Sequence, residues 1–415
     1  MDGTKTRKCR SCSATLDDVF VDLGETPLAN SFLTEDEASS GRERRYPLVA
    51  RVCRRCFLVQ VDDPVRPDDI FSDYAYFSST SSSWVEHARA YALEARRRFG
   101  LGDRSLVVEV AANDGYLLQH FAHLGVRTLG IEPAANVAEA ARAKGIPVEV
   151  AFFGAETAGR LARGGASADL MVANNVLAHV PDIRDFLAGF PVLLAPGGVA
   201  TFEFPHLLNL IREVQFDTIY HEHFSYLSLL AVERAFADAG LVAFDVEELP
   251  THGGSLRLFA QRAGGGRPEG AKLGALRERE RAAGLDRLDG YRGFAPRVEA
   301  VKAGFRSFLS RARAEGRTVA AYGAAAKGNT FLNVCGIGRD DLVCAFDRSP
   351  AKQGKLTPGS HLPILAPERI EEIRPDYLLV LPWNLIDEIR GELGSIAAWG
   401  GRLVTAVPDV RTWPP

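Results

Sequence analysis

Strands and helical segments alternate along the middle of the chain. LVVEV (106–110) is a short apolar run rich in β-branched residues, and TLGIEP (128–133), DLMVANNVLAHV (169–180) and VATFEFP (199–205) follow it with helical patterns between them. This alternation predicts a parallel sheet, because two parallel strands need a long crossover to connect them. In such a sheet a ligand is expected at the carboxyl ends of the strands.

The turn after the first of these strands indicates which ligand binds. A dinucleotide site needs G-x-G-x-x-G, but the turn reads Glu109-Val-Ala-Ala-Asn-Asp-Gly115, with a single glycine. It instead resembles motif I of the class I S-adenosylmethionine-dependent methyltransferases, whose usual form is E-x-G-x-G-x-G. That cofactor has no pyrophosphate, so the turn must allow close backbone approach and need not form a deep anion nest. LLAPGGVATFEFP (193–205) resembles the late P-G-G turn and strand of the same fold.

This resemblance implies a set of cofactor-binding residues at the strand ends. Glu132 ends the second strand, where a carboxylate can accept hydrogen bonds from both ribose hydroxyls. Asn174 and Asn175 flank the strand end at which members of this fold meet the cofactor, and either could instead cap the next helix. A nucleotide fold without cofactor is the alternative. The expected cofactor-binding residues are Glu109, Ala111, Asn113, Gly115, Tyr116, Glu132, Asn174 and Asn175.

Two CxxC pairs lie in the first seventy residues, Cys9-Arg-Ser-Cys12 and Cys53-Arg-Arg-Cys56. Each pair can present two thiolates from one tight turn, and two such turns form a tetrahedral four-sulfur site. Redox cysteines or four free thiols are the alternatives. The pattern predicts one structural zinc ion that performs no chemistry, because a closed four-cysteine site has no open coordination position. Cys335 and Cys344 lie in apolar stretches and are expected in the core.

The composition excludes several classes of protein. The 415 residues allow two or three domains, and a net charge of -4 provides no basic field for nucleic acid. No apolar run approaches the roughly 18–20 residues of a membrane span. The start, MDGTKTRKCRSC, lacks the apolar segment of a secretory signal, so a cytoplasmic protein without a membrane partner is expected.

The segment DTIYHEHFSYLS (217–228) concentrates polar groups in an otherwise apolar stretch. It could bind a metal, supply an acid or base, or only pack. Two histidines are too few ligands for a zinc site, whereas an imidazole has a suitable pKa for a base near neutral pH. A carboxylate on the far ring nitrogen would fix the tautomer. An extended backbone would put His221 and His223 on one face, and a turn would not.

The C-terminal part repeats the strand and helix alternation. TVAAYGAAAKGNT (318–330) is typical of a strand, a tight turn and a helix start, with Gly323 allowing close backbone approach and Lys327 adding charge for an anion. LVCAFDRSPAKQGK (342–355) predicts a second strand that ends at Asp347. G-K-[ST] is absent, so we expect a second Rossmann-like unit that does not hydrolyse ATP.

Five motifs occur in a recognisable order: DYAYFSSTSSSWVEHA (73–88), EVAANDGY (109–116), IYHEHFSYLS (219–228), HGGSLR (252–257) and YGAAAKGNT (322–330). With the cysteine pairs, they make nearly the whole chain resemble the nucleotide-sugar C-methyltransferases of antibiotic deoxysugar pathways.

The resemblance implies an α/β protein with three parts. These are a small N-terminal zinc-binding lobe (1–70), a class I methyltransferase Rossmann-like core (71–265) and a second Rossmann-like lobe that binds the nucleotide sugar (266–415). It also implies S-adenosylmethionine as cofactor and methylation at C3 of a dTDP-linked 4-keto-6-deoxysugar.

The resemblance further assigns roles to individual residues. His223 is the expected base, with Tyr220 and Glu222 beside it and Tyr220 a candidate donor to the enolate oxygen. His179 corresponds to a further active-site histidine, although a helix-cap or core role is the alternative. The expected substrate-binding residues are Tyr76, His252, Gly323, Lys327, Asn329 and Asp347.

The chemistry explains why such residues are needed. A sugar carbon is not a nucleophile, but a neighbouring ketone makes its C–H acidic, so the enzyme must supply a base and donors for the enolate oxygen. The same argument serves C5, on the other side of the ketone. O- or N-methylation of a small molecule and a non-enzymatic nucleotide-sugar-binding protein are the remaining alternatives.

Overall fold

A computed structural model describes residues 7–62 and 77–414, which form three sheets that follow one another along the chain. Within these residues, no helix combines the length and apolar character needed to cross a membrane. Tyr76 lies outside the described residues.

The first sheet makes up an N-terminal lobe. Its strands β1 (Asp18–Thr26), β2 (Tyr46–Val52) and β3 (Val59–Val61) are antiparallel neighbours. In β2 every second side chain is buried, as the two-residue period of a strand requires when one face covers a core. Thr34 is the N-cap of helix α1 (Glu35–Ser39) and forms a capping box with Glu37.

The fourth strand of this sheet comes from far along the chain. It is β9 (Ser225–Tyr226), which pairs antiparallel with β3 so that Val59 lies opposite Tyr226 and Gln60 opposite Ser225. The HEH segment (residues 221–223) therefore runs, through Phe224, directly into a strand of the N-terminal lobe.

The second sheet has seven strands in the order β10-β11-β8-β7-β4-β5-β6. Its central strand β4 is buried along its whole length because helices cover both faces of the sheet. The strands are β4 (Leu106–Val110), β5 (Arg127–Ile131), β6 (Val148–Glu149), β7 (Ala168–Asn174), β8 (Leu194–Pro205), β10 (Leu241–Leu249) and β11 (Ser255–Arg262). The helices are α2 (Ser82–Phe99), α3 (Leu118–His123), α4 (Ala135–Ala143), α5 (Ala155–Arg163), α6 (Ile183–Leu193), α7 (Leu207–Arg212) and α8 (Leu229–Asp238).

Two features of this sheet differ from the sequence prediction. Strands β10 and β11 run antiparallel to their neighbours, because the short connection at 250–254 cannot carry a crossover. The third predicted strand also ends early, at Asn174, because Asn175 has a φ of 53° and leaves the extended conformation.

The third sheet forms the C-terminal lobe, in the order β14-β13-β12-β15-β16-β17, and only its edge strand β17 is antiparallel. Its strands are β12 (Val319–Tyr322), β13 (Ala345–Phe346), β14 (Ile364–Leu365), β15 (Tyr377–Val380), β16 (Arg402–Thr405) and β17 (Arg411–Trp413). Helix α9 (Ala271–Ala282) packs on the second sheet, where Leu273 and Leu276 join its core, and the helices of the C-terminal lobe are α10 (Phe294–Ala314), α11 (Ala326–Cys335), α12 (Ile370–Ile373) and α13 (Ile386–Glu392). Cys335 and Cys344 are buried here, as predicted.

The N-terminal and C-terminal lobes share one hydrophobic core. Phe20 of β1 stacks on Phe294 of α10 with ring centroids 4.5 Å apart. Phe216 and Ile219, just before the HEH segment, are buried in the same cluster. The HEH segment is therefore fixed from both sides. The domain limits near residues 70 and 265 stay a prediction.

Candidate active site

The turn after β4 has the backbone conformation expected of glycines without most of the glycines. Ala111, Asn113 and Gly115 have φ values of 55°, 49° and 75°. Asn tolerates this left-handed region, whereas Ala adopts it at a cost of about 1–2 kcal/mol. Gly115 also permits close packing, because a Cβ there would lie 3.2 Å from Cβ of Ala141. The turn therefore keeps the shape of a cofactor-binding motif despite its altered sequence.

Acceptor atoms without partners gather at the ends of β4 and β7. Glu109 Oε2, Asn174 Oδ1 and Asn175 Oδ1 are buried and, among the described residues, make no hydrogen bond. Burial raises the pKa of Glu109 well above its usual value, and the nearby carboxylates of Glu132 and Asp114 add to this. A cationic donor beside these oxygens would satisfy them and favour the charged carboxylate. The cluster fits the ammonium group of S-adenosylmethionine.

Glu132 follows β5 and holds the same turn. Its two carboxylate oxygens accept hydrogen bonds from the backbone N–H groups of Asn113 and Ala134, each at 2.9 Å. A carboxylate oxygen has two lone pairs, so both oxygens keep acceptor capacity for a ribose hydroxyl. The Asn113 side chain in turn accepts a hydrogen bond from the backbone N–H of Ser78 at 2.9 Å, which links the serine-rich segment to this turn.

An aromatic and ionic group beside the cofactor turn was missed by sequence reasoning. Trp84 of α2 stacks on Tyr116 and lies 5.4 Å from the ring of His252, measured between centroids. The fully buried Glu203 accepts hydrogen bonds from Arg257 at 2.6 Å and from the Thr251 hydroxyl at 3.1 Å. Glu203 thereby holds the loop that carries His252, whose Nε2 lies 3.4 Å from Nδ2 of Asn175.

His223 lies in a turn, so the extended arrangement of the HEH segment is not formed. Its Nδ1–H donates to the carbonyl oxygen of Thr218 at 2.8 Å, and its Nε2 lies 2.7 Å from the hydroxyl of Tyr220. Because a carbonyl only accepts hydrogen bonds, the proton is on Nδ1, and Nε2 accepts the Tyr220 O–H. The predicted tautomer-fixing partner is thus a backbone carbonyl and not a carboxylate.

The histidines around this point are held neutral. Burial lowers the pKa of His223 well below its usual value, and nearby His179 and Lys327 add to the effect. Burial likewise lowers the pKa of His179 and of His252 to about 4. The rings of His179 and His223 meet edge to face with centroids 4.6 Å apart. At neutral pH these imidazoles are therefore bases without charge.

The N-terminal lobe holds the rest of the HEH segment. The carboxylate of Glu222 accepts hydrogen bonds from the side-chain amide of Asn30 at 2.8 and 3.0 Å, while the Glu222 carbonyl accepts one from Nδ1–H of His179 at 2.9 Å. His221 donates to the carbonyl oxygen of Pro47 at 3.2 Å. Glu222 thus faces the N-terminal lobe and not His223. Sequence reasoning missed Asn30, which lies far away along the chain.

The C-terminal lobe places its predicted residues in different surroundings. Gly323 has a φ of 87° and packs against Pro382, and Asp347 accepts a hydrogen bond from the backbone N–H of Ala324 at 2.7 Å. Lys327 is half-buried, and its charge contributes to the lowered pKa of both His223 and His252.

Asn329 does not share that position. It is fully buried, and its side-chain amide donates to the carbonyl oxygen of Ala29 at 2.7 Å. Its observed contact therefore ties α11 to the loop that carries Asn30. The predicted contact of Asn329 with substrate is not visible in this arrangement, because the side chain has no exposed surface.

The four predicted cysteine ligands come together as two matching turns. Cys9 Sγ lies 3.4 Å from Cys56 Sγ, and Cys12 Sγ lies 3.5 Å from Cys53 Sγ. All four sulfur atoms lie within 4.8 Å of one another, a spacing that suits zinc–sulfur bonds of about 2.3 Å. Across residues 7–62 and 77–414, this is the only group of three or more histidine, cysteine or acidic side chains close enough to hold a metal. The cluster fits a structural zinc ion.

Three family models match successive parts of the chain. Residues 9–71 match one described as "Putative zinc binding domain", residues 84–246 match "Methyltransferase domain", and residues 250–408 match "C-methyltransferase C-terminal domain". They follow the order of the three sheets.

Comparison with individual proteins gives one match over the full length. The C-methyltransferase NovU of Streptomyces niveus is 38% identical over 406 residues, which cover 97% of this chain and 96% of the relative. A ubiquinone biosynthesis O-methyltransferase of Chelativorans sp. (strain BNC1) is 28% identical over 152 residues, or 34% of this chain and 59% of the relative. The chain also matches the solved structure of a 1,6-didemethyltoxoflavin-N1-methyltransferase of Burkholderia thailandensis, which is 16% identical. The match covers 49% of this chain and 94% of that protein, with a TM-score of 0.35.

Proposed function

Because this chain belongs to the C-methyltransferase family that includes NovU, we propose that it methylates C3 of a dTDP-linked 4-keto-deoxysugar in antibiotic deoxysugar biosynthesis. It is an S-adenosylmethionine-dependent methyltransferase with a zinc-binding domain. The identity of the sugar, the carbon and the route through an enolate are the proposed parts.

The observation that carries the proposal is the neutral pair of Tyr220 and His223. The hydrogen bond from Nδ1–H of His223 to the Thr218 carbonyl leaves a lone pair on Nε2 of His223, and this nitrogen lies 2.7 Å from the Tyr220 hydroxyl. A base of this kind is needed to take a proton from carbon, whereas an oxygen or nitrogen acceptor already has a lone pair. The pair therefore favours C-methylation over O- or N-methylation.

The pair would act as one unit. The proton leaves C3 for the Tyr220 oxygen as the Tyr220 proton moves to Nε2 of His223, or it passes directly to Nε2. The C–H electron pair spreads onto the C4 oxygen as an enolate. His179, whose ring meets that of His223 edge to face, and His252 would line the sugar pocket, both neutral. S-adenosylmethionine, when bound, supplies an electrophilic methyl group on sulfur.

The sugar nucleotide would lie between the middle and C-terminal lobes. Lys327, at the start of α11, supplies charge for the diphosphate, and Gly323 and Asp347 line the adjacent turn. Glu109, Asn174 and Asn175 would hold the amino acid part of the cofactor, and Glu132 its ribose.

The test is to identify the atom that receives the methyl group. The chain is incubated with [methyl-13C]S-adenosylmethionine and a dTDP-4-keto-6-deoxysugar, and long-range carbon–proton correlations of the product are recorded. Correlation of the new methyl with C2 and C4 is expected. Correlation with C6 would assign C5 instead, a methoxy signal would indicate O-methylation, and sugar binding without transfer would contradict the proposal.

A further inference from the structure

Asp217 is a buried acid to which the proposed reaction assigns no role. It lies in the turn just before the HEH segment and is 1% exposed. Its Oδ2 accepts a hydrogen bond from Nε1–H of Trp383, in the C-terminal lobe, at 2.7 Å. Its Oδ1 is buried and has no hydrogen-bond partner in the described part of the chain. A carboxylate is costly to bury in this way, so a positively charged group is expected nearby to compensate its charge.

Lys327 is the cation that Asp217 influences. Burial lowers the pKa of Lys327, and Asp217 opposes that change by raising it. The ammonium nitrogen contacts Asn384 Oδ1 at 3.5 Å and lies 5.4 Å from the centroid of the Trp383 ring. Over the described residues, Lys327 makes no salt bridge within 4 Å, so its N–H groups stay available to a ligand.

Trp383 explains why the two charges do not meet. Its indole N–H holds the Asp217 carboxylate, and the tip of its ring packs so close to Gly253 that a Cβ there would lie 2.5 Å away. Gln215 also donates to the carbonyl of Gly253 at 2.8 Å. The hydrogen bond from Trp383, whose ring is itself packed, therefore holds the Asp217 carboxylate away from the Lys327 ammonium group.

We propose that Asp217 is the counter-charge that keeps Lys327 cationic, so that this lysine can bind the diphosphate of the nucleotide-linked substrate. This inference rests on the proposed function. The other titratable groups facing Lys327 are His223 and His252, which are neutral at neutral pH and so give the lysine no stabilising negative charge. Asp217 is the acid that acts on the lysine.

Removal of the Asp217 charge would have two opposite effects on anion binding. If Lys327 stayed protonated without it, loss of a negative charge would strengthen the binding of an anion. If the lysine lost its proton instead, binding of the anion would weaken, and more so as the pH rises. The proposal requires the second result, so the sign of the change is decisive.

The test compares a charged and an uncharged probe on the full-length chain. Calorimetry measures the binding of dTDP and of thymidine to the wild type, to Asp217→Asn, which can still accept the Trp383 hydrogen bond, and to Asp289→Asn as a control. Asp289 is an exposed surface acid paired with Arg292. At about pH 8 we expect Asp217→Asn to weaken dTDP binding about tenfold, the loss that results if only about one Lys327 side chain in ten stays protonated, and to leave thymidine binding unchanged.

The pH dependence provides a second readout. Burial raises the pKa of Asp217 to about 6. Well below that value the wild-type acid is itself protonated, so the wild type and Asp217→Asn should bind dTDP alike. Any change in phosphate ionisation applies equally to both proteins and cancels in their ratio.

A chemical measurement covers the case in which Asp217→Asn is poorly folded. The acylation of Lys327 by acetic anhydride is followed against pH by mass spectrometry, in the wild type, Asp217→Asn and Trp383→Phe. The midpoint should move to lower pH in Asp217→Asn, and it should move to higher pH in Trp383→Phe, which frees the Asp217 carboxylate to approach the lysine. An unmoved midpoint, or equal or tighter dTDP binding by Asp217→Asn, overturns the role of Asp217. Failure of the wild type to bind dTDP would overturn the proposed function as well.

Discussion

The pairing of Tyr220 with His223 leads to a prediction about two single variants and their combination. His223→Asn removes the imidazole, and Tyr220→Phe removes one hydroxyl while keeping the ring that packs on His223 with centroids 4.0 Å apart. A positioned base contributes about 100- to 10,000-fold in rate, or about 3–5 kcal/mol of barrier. Because one hydrogen bond joins the two groups, each variant should lose most of this factor.

The double variant shows whether the two groups act together. Residues that work as one unit give non-additive losses, so Tyr220→Phe with His223→Asn should be no slower than the slower single variant. If the two losses multiply, the groups act independently and the proton-accepting pair is wrong. His123→Asn, an exposed histidine at the end of α3, is the matched control and should keep wild-type activity.

The assay separates proton removal from methyl transfer. The 4-ketosugar is incubated in deuterium oxide with S-adenosylhomocysteine in place of the methyl donor, and loss of the ring hydrogen at C3 is followed by proton NMR. Exchange should require both Tyr220 and His223. Cofactor binding, measured by calorimetry, should be unchanged in both variants. Wild-type exchange by His223→Asn would refute the assignment of the base.

Three further predictions follow from the same contacts. Only neutral His223 can act as a base, and its pKa is lowered from 6.5. The kcat at saturating substrate should therefore stay level as the pH falls through 6.5 and decline only near the lowered pKa. A decline with its midpoint at pH 6.5 or above would contradict this. Asn30→Ala removes an exposed side chain but leaves the buried Glu222 carboxylate without its donor, so urea unfolding should show a loss of about 1–3 kcal/mol, and no change would exclude the contact. Chelation should remove one zinc ion per chain and speed hydrogen exchange in β3 and β9 together. His223→Ala should retain that zinc ion, whereas a second zinc ion lost with His223 would support a metal site at His223.

The sequence predicts the cofactor turn because its features are local. The strand, the turn and Glu132 lie within 27 residues of chain, and their order along the sequence specifies their arrangement in a parallel sheet. The left-handed backbone at Ala111 and Asn113 shows that the turn keeps the motif's conformation although the usual glycines are replaced. The motif constrains backbone shape, which Asn adopts readily and which Ala adopts at a small cost. The cysteine pairs are predictable for the same reason, since each pair lies within one turn.

The HEH segment could not be predicted in this way. Its backbone forms a turn, and its polar side chains find partners in residues that the sequence places far away, such as Asn30 and Pro47. Asp217 and Trp383 are separated by 166 residues and still form one hydrogen bond. Spacing carries no information about such pairs. The available signal was that Asp217 directly follows Phe216 and lies two positions before Ile219, in a largely apolar stretch where an acid is unusual.

Strand β9 connects the zinc-binding lobe to the proposed base, although a closed four-cysteine metal site is expected to perform no chemistry itself. The backbone that carries His223 continues into Ser225 and Tyr226, which pair with Gln60 and Val59 just after the second cysteine turn. Gln60 is also fully buried, and its side-chain amide donates to Cys9 Sγ at 3.3 Å. A base must be held to within about 0.5 Å to be effective, and the irregular connection at 219–224 cannot hold itself so closely. We therefore expect a bound metal to rigidify β3, and β3 and β9 in turn to hold one end of the loop that carries the proposed base.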